Sequence, residues 1–414
     1  MILIYLFLMS IDTLGVNLEE ALKRALENFS EIVIQRKNYN LKNIEYINSL
    51  FNFAPNLSAE GGYSNTETRL NTIIPGYPSP VLSSTKRGYT FTFSLSQKIF
   101  SPSSIYNLFN FYSLKENSEL SLIEFKMKLT YELETKYFNV LRLKKVLKIY
   151  EKSLERAENY FQLAEEKFRN GLLSYFDYMN IKLELENLIL NKRQAEKNFY
   201  DALYDFNYLL GNDGKILYVP KEVKLDSITV MDIEKVNFYA FEAEKWIKRN
   251  SAFSLIYNLF SFLPEVYFSL FYSYSDSTIK NLFKKPESSK GIYLSFSLRF
   301  WDYPFNLVKS KLKDEIEREN LKRIYLLSTL NYEKSKKHLE IAKEALKLSE
   351  EKLKTSEVGY NIAVESFKLG KISSLELTKA EENLRVSEID YITSYYNYKL
   401  AITFYLYLTG NLIY

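Results

Sequence analysis

The 414 residues include one histidine, His338, and no cysteine. That inventory excludes disulfides, thiol nucleophiles, iron–sulfur clusters and lipid attachment through an N-terminal cysteine. It leaves neither an imidazole metal cluster nor a Ser-His-Asp arrangement. His338, beside Lys336 and Lys337, reads as a solvated helix residue without partner ligands for a metal. Glu315, Glu317 and Glu319 read as i,i+4 helix surface, and Tyr395, Tyr396 and Tyr398 as core packing. No Gly-rich phosphate loop, nucleophile elbow or metal-ligand spacing occurs. An enzyme therefore has little room, and no cofactor is expected. The 55 basic and 51 acidic residues are interspersed and leave a net charge of +4, so there is no basic stripe for nucleic acid.

The elements are few and long. Gly 12 and Pro 9 make about 5% of the chain, against roughly 12% in ordinary proteins. The chain is also duplicated. Phe168-Arg169-Asn170-Gly171 matches Phe367-Lys368-Leu369-Gly370 at an offset of 199, which also pairs Leu185 with Leu384 and Gly211-Asn212 with Gly410-Asn411. Upstream of each glycine runs a three-four apolar seam. Val140, Leu143, Leu147, Tyr150, Leu154, Ala157, Phe161, Ala164 and Phe168 are answered in register by Leu339, Ala342, Leu346, Ser349, Leu353, Ser356, Tyr360, Ala363 and Phe367. Such spacing predicts helices in coiled-coil-like packing. A continuous helix over 103–170 would reach ~100 Å. Each half is expected to be a hairpin: long helices 103–170 and 305–369 turn at Gly171 and Gly370 into helices 172–210 and 371–409, the glycines serving as C′ caps.

A different pattern precedes each long helix. Tyr89, Phe91, Phe93 and Leu95 alternate with Thr90, Thr92, Ser94 and Ser96, and Ile292, Leu294, Phe296, Leu298 and Phe300 alternate likewise in the second half. Leu57, Ala59, Gly61 and Tyr63 follow Pro55, and Val266, Phe268, Leu270 and Tyr272 follow Pro264. Period-two patterning predicts strand pairs within 53–100 and 263–303, each strand about nine to eleven residues, the span of a tilted transmembrane strand. The polar connectors 65–87 and 275–290, with Pro75, Pro78, Pro80 and Pro286, read as solvent-facing hairpin loops. Four strands cannot close a barrel, and an open edge in lipid leaves unpaired backbone groups at several kcal/mol each. Three copies would close twelve strands above a ring of helical hairpins. The expected fold is thus mixed α and β, a membrane protein whose duplicated hairpins form an α-barrel and whose four strands per chain complete a trimeric twelve-stranded β-barrel. Residues 1–16 read as a secretory signal, with a buried N-terminal segment as the alternative. Residues 17–211 form the first repeat, 212–249 a linker or equatorial belt, and 250–414 the second repeat.

These residues resemble the outer-membrane efflux protein family, the TolC-like channel-tunnels, over nearly all of 16–412. The carriers are the opening helix LEEALKRALEN at 18–28, Phe53-Ala54-Pro55-Asn56-Leu57, the segments 88–100 and 291–301, and above all the twin turns. The resemblance implies a homotrimer with a β-barrel in the outer membrane and a helical tunnel across the periplasm. It implies the exit duct of a tripartite efflux pump or type I secretion system, partnered by a periplasmic adaptor, an inner-membrane transporter and outer-membrane lipid. By position, the family's adaptor-docking tip carries over to Gly171, Leu172 and Ser174 and to Gly370, Ile372 and Ser373, residues that also suffice as plain helix caps. The family's gate often places acids six and nine positions beyond the second turn glycine. Glu376 holds the first position and Lys379 the second, with Asp177 and Asn180 in the other repeat. One carboxylate ring at Glu376 is supported and a second is not, a solvated helix face being the alternative. Repulsion within such a ring would raise its pKa. The rival reading is a soluble periplasmic coiled-coil scaffold, which has no reason to expose the Phe91/Phe93/Leu95 face.

Overall fold

The computed structural model describes residues 12–71, 81–214, 216–222, 238–295 and 301–412. In chain order the elements are β1 (Asp12–Val16), α1 (Leu18–Asn28), α2 (Ser30–Leu50), a 3-10 turn (Phe51–Phe53), β2 (Asn56–Asn71), β3 (Val81–Phe100), α3 (Pro102–Arg169), α4 (Tyr175–Leu209), β4 (Ile216–Pro220), α5 (Tyr239–Leu259), β5 (Glu265–Asp276), β6 (Pro286–Ser295), α6 (Asp302–Lys368) and α7 (Ser374–Leu408). They fall into two compact units. One comprises residues 39–118 and 243–321, the other residues 1–38, 119–242 and 322–414.

The first unit holds an antiparallel sheet in the order β2-β3-β5-β6. Its register sorts the side chains by chemistry. Leu57, Ala59 and Gly61 lie opposite Leu95, Phe93 and Phe91, and these lie opposite Leu270, Tyr272 and Tyr274. The alternate face is hydroxyl-rich: Ser58 Oγ and Ser94 Oγ share a hydrogen bond of 2.6 Å, and Thr92 and Ser273 one of 3.0 Å. The apolar face is uncovered, with Leu57 72%, Phe93 42% and Ile292 68% exposed. At the start of β5, Glu265 Oε1 accepts from Ser101 Oγ and Ser103 Oγ at 2.7 Å each, tying that strand to the first turn of α3.

The strands outrun the sequence expectation. They contain 16, 20, 12 and 10 residues, so 65–71, 81–87 and 286–290 are strand rather than loop. Apolar alternation ends before the ladder does, because backbone pairing continues through Thr66 opposite Lys86 and Tyr274 opposite Pro286 without needing an apolar face. Pro75, Pro78, Pro80, Phe296, Leu298 and Phe300 lie outside the described residues.

The second unit holds the hairpins α3–α4 and α6–α7. All eighteen seam residues named above are buried or half-buried. A small parallel pair, β1 with β4, caps a core of Ile32, Leu133, Tyr137, Phe138, Leu203 and Phe206. Tyr137 Oη donates to Lys221 O at 2.6 Å, and Asn207 exchanges hydrogen bonds with the backbone of Tyr218. This pair draws on two segments outside the hairpins. β1 occupies the end of the segment read as signal, and β4 with the start of α5 occupies the segment read as linker. Five-residue strands are too short for alternation to register. The apolar run 1–9 lies outside the described residues.

Both hairpins turn on the same device. Gly171 and Gly370 each have φ +70°. The Gly171 N–H donates to Phe168 O at 3.0 Å and the Leu172 N–H to Lys167 O at 2.8 Å; Gly370 and Lys371 repeat this with Phe367 O and Ser366 O. These are Schellman caps, which require the left-handed conformation that glycine adopts without strain. Gly211 shares the conformation at φ +68°, but a Cβ there would stand 2.7 Å from Asn28 O, whereas one at Gly171 meets nothing within 4 Å. Gly171→Ala should therefore cost about 1 kcal/mol of conformational strain. Gly211→Ala should cost a further ~1–3 kcal/mol from overlap with backbone. Parallel thermal melts in one detergent should rank them so; equal melting would refute the contrast.

Candidate functional site at the hairpin tips

Each tip is a Schellman turn followed by a capped helix start. Ser174 is the N-cap of α4: its Oγ accepts from the Asp177 N–H at 3.0 Å and donates to Asp177 Oδ2 at 2.6 Å. Ser373 is the N-cap of α7 and forms a full capping box, accepting from the Glu376 N–H at 3.3 Å while its own N–H donates to Glu376 Oε2 at 2.7 Å. Both carboxylates therefore lie in a first helical turn and are stabilised in their charged form. The hydrogen bonds from Ser373 hold Glu376 below the usual carboxylate range, and those from Ser174 and Ser374 do the same for Asp177. Within one chain this is opposite to the upward shift expected for Glu376, because capping donors rather than like charges surround it.

The two tips are joined. Ser374 Oγ donates to Asp177 Oδ1 at 2.6 Å, across the hairpins. Lys167 Nζ donates to Phe367 O at 3.0 Å, a second hydrogen bond on the carbonyl that the Gly370 N–H already engages at the C-terminal end of α6, and lies 4.5 Å from the Phe367 ring centroid. Ala164, Ile181, Ala363, Phe367 and Leu377 fill the space between. Further from the tips, Tyr160 and Tyr360 join through their hydroxyls. Beyond them lies a buried ionic cluster. Arg385 contacts Glu381 at 2.8 Å and Glu184 at 3.3 Å, while Arg156 contacts Glu381 at 3.1 Å and Glu388 at 3.3 Å. Ser153 Oγ also donates to Glu381. Burial pushes the Glu184 and Glu388 carboxyls up, opposed by the arginines.

The sequence-predicted residues divide. Gly171, Leu172, Ser174, Gly370 and Ser373 are exposed, Leu172 by 75%, whereas Ile372 is half-buried against the inter-hairpin cluster. The repeat counterpart of Ile372 is Leu173, which packs in the same cluster, so Leu172 and Ile372 are not equivalent. Asp177, the first-repeat counterpart of Glu376, is the carboxylate that crosses between hairpins. Lys167, Ser374 and the ionic cluster were not anticipated. Their signal was available: Ser374, Leu377, Glu381, Leu384 and Glu388 continue a three-four seam, and acids inside a seam need buried partners.

Twin helical hairpins, each preceded in sequence by a strand pair, and a sheet apolar on one face make up the described fold. No family model and no curated protein matches the chain. Among solved structures it is similar to the Campylobacter jejuni CmeC outer membrane channel, at 15% identity over 96% of this chain and 86% of that one, with a TM-score of 0.85. It is similar to the outer membrane protein VceC of Vibrio cholerae (13% identity, 96% and 97% covered, TM-score 0.82). It is also similar to the open state of the Neisseria gonorrhoeae MtrE outer membrane channel (14%, 95% and 89%, TM-score 0.78). At these identities the likeness carries the fold.

Two measurements test the site. Because the Asp177 pKa is depressed, its contribution is present above the ordinary Asp pKa and is lost as pH falls through the folded value. Hydrogen exchange at 372–378 should therefore quicken below about pH 4. In Asp177→Asn it should already be faster at neutral pH, with a smaller acid-side rise, the part that remains being that of Glu376 and its Ser373 cap; an unchanged profile in that variant would remove Asp177 from the link. Separately, Glu381→Leu leaves the buried Arg385 and the half-buried Arg156 without their shared partner, each keeping one longer pair, and should cost about 3 kcal/mol, the low end for breaking a buried pair. Asp390→Leu breaks the half-exposed Lys352 pair and should cost no more than ~1 kcal/mol. Comparable losses in urea unfolding would show the cluster to be ordinary surface charge.

Proposed function

We propose that the chain is a subunit of a trimeric outer-membrane exit duct, a passive conduit from periplasm to exterior within a tripartite efflux pump or type I secretion system. The observation that carries this is the two-faced sheet: one face apolar and exposed, the other lined with hydroxyls, and both edges, β2 and β6, open. Three copies would pair β6 of one with β2 of the next, placing the apolar face in lipid and the hydroxyl face around water. Among the described residues no helix is long and apolar enough to cross a membrane, so the strands are the spanning elements of this reading. The fold shared with CmeC, VceC and MtrE, each described as an outer membrane protein or channel, supports it.

On this reading the tips Gly171, Leu172, Ser174, Gly370, Ile372 and Ser373 meet a periplasmic adaptor, and an inner-membrane transporter supplies energy. Exposed apolar residues at the tips, Leu172, Phe176 and Leu375, suit such a partner. Glu376, with Asp177, would line the constriction of the closed tip. The scaffold alternative leaves Leu57, Phe93 and Ile292 in water without a partner.

The detergent-extracted protein should sediment at about three times 48.9 kDa. Phe93→Arg should lower trimer stability by up to ~2–4 kcal/mol near mid-bilayer, while Thr92→Arg should assemble normally and alter single-channel conductance. A stable monomer, or equal damage from both substitutions, would overturn the reading.

A further inference from the structure

The hydroxyl face of the sheet is interrupted near its helical end. Thr92, Ser94 and Ser96 on β3 and Ser269 and Ser273 on β5 keep that face small and polar. Tyr267, Phe271 and Tyr293 share it. The register sets Lys98 opposite Tyr267, and Tyr267 opposite Tyr293, so a cation and two phenols form one row across three strands. The Tyr267 and Tyr293 rings are near parallel, 5.5 Å apart at 14°, and Phe271 meets Tyr293 edge-on at 6.2 Å and 83°. The Tyr293 ring lies along its own strand over Gly291, where a Cβ would stand 3.3 Å from its Cε2. Tyr293 keeps 38% of its surface exposed.

Cross-strand aromatic pairing stabilises any sheet. It does not explain why the pair sits on the face otherwise given to hydroxyls, why a glycine lets the ring lie flat, or why a lysine ends the row. Lys98 is exposed, and its ammonium donates one long hydrogen bond, 3.4 Å, to Ser104 Oγ. The acidic neighbour, Glu265, is hydrogen-bonded by Ser101 and Ser103 and also lies within electrostatic reach of Lys98. A flat π surface beside one weakly engaged ammonium complements a planar ring bearing one negative charge. We propose that Lys98, Tyr267, Phe271 and Tyr293 form a binding station for planar aromatic carboxylates. The ring stacks on Tyr293 and the carboxylate pairs with Lys98. Its role in transport rests on the conduit reading; binding itself does not.

The test uses full-length protein in detergent titrated calorimetrically with 2-naphthoate, beside neutral 2-naphthylmethanol and non-aromatic cyclohexanecarboxylate. Saturable 2-naphthoate binding is expected, weakened about tenfold or more in Tyr293→Thr and in Tyr267→Thr. Lys98→Gln should weaken 2-naphthoate several-fold and leave the alcohol unchanged, while Phe93→Leu, on the opposite face, should change neither. Uptake no greater than in empty micelles, equal binding of cyclohexanecarboxylate, or undiminished binding in both tyrosine variants would overturn the station. Bilayer recordings separate the two readings: current without 2-naphthoate binding overturns the station and keeps the conduit, whereas binding without current keeps the station and removes the conduit.

Discussion

A four-stranded antiparallel sheet has two edges, and each presents a row of backbone N–H and C=O groups that must be paired or hydrated. Here the hydration option conflicts with the side chains. One face of the same sheet exposes Leu57, Phe93, Tyr272, Ile292 and Leu294, an area that water disfavours. Lipid would satisfy that face but not the edges. Closure of the sheet on further copies, as proposed above, would resolve both demands at once.

What the sequence made legible depended on how long each periodic pattern ran. Alternation over 89–95 and three-four spacing over 140–168 and 339–367 are long enough to define a face, and the structure uses those faces. The five-residue strands β1 and β4 are not, and their partners lie about 200 residues apart, so nothing local marks them. A second duplication lies just ahead of the strand pairs. Ile47, Leu50, Phe51, Phe53 and Pro55 are repeated as Ile256, Leu259, Phe260, Phe262 and Pro264, marking the helix-to-strand passage in both halves. Its offset of 209 differs from the 199 of the hairpins, which is why alignment at a single offset misses it.

The ionic cluster was hidden for a different reason. Apolar periodicity finds the seam, yet Glu184, Glu381 and Glu388 occupy seam positions as acids. Read alone they look like interruptions. Read with Arg156 and Arg385 they are a buried network, nearly satisfied within itself, that costs desolvation and returns register between the hairpins. Misaligning α7 against α3 by one turn would leave arginines facing apolar side chains.

Duplication also shows how one methylene separates two roles. Asp177 and Glu376 hold the same place, third residue of the helix after a serine N-cap. The longer glutamate reaches back to the Ser373 N–H and closes a capping box on itself. The shorter aspartate binds the Ser174 hydroxyl with Oδ2 and makes no such backbone contact, which leaves Oδ1 to accept from Ser374 of the other hairpin. The glutamate therefore completes its own helix, and the aspartate completes its helix and joins the hairpins. An ancestral pair of identical tips would be capped twice and linked symmetrically or not at all. The donor differs as well, since the counterpart of Ser374 is Tyr175, so the short acid and the serine opposite it together make the link one-sided.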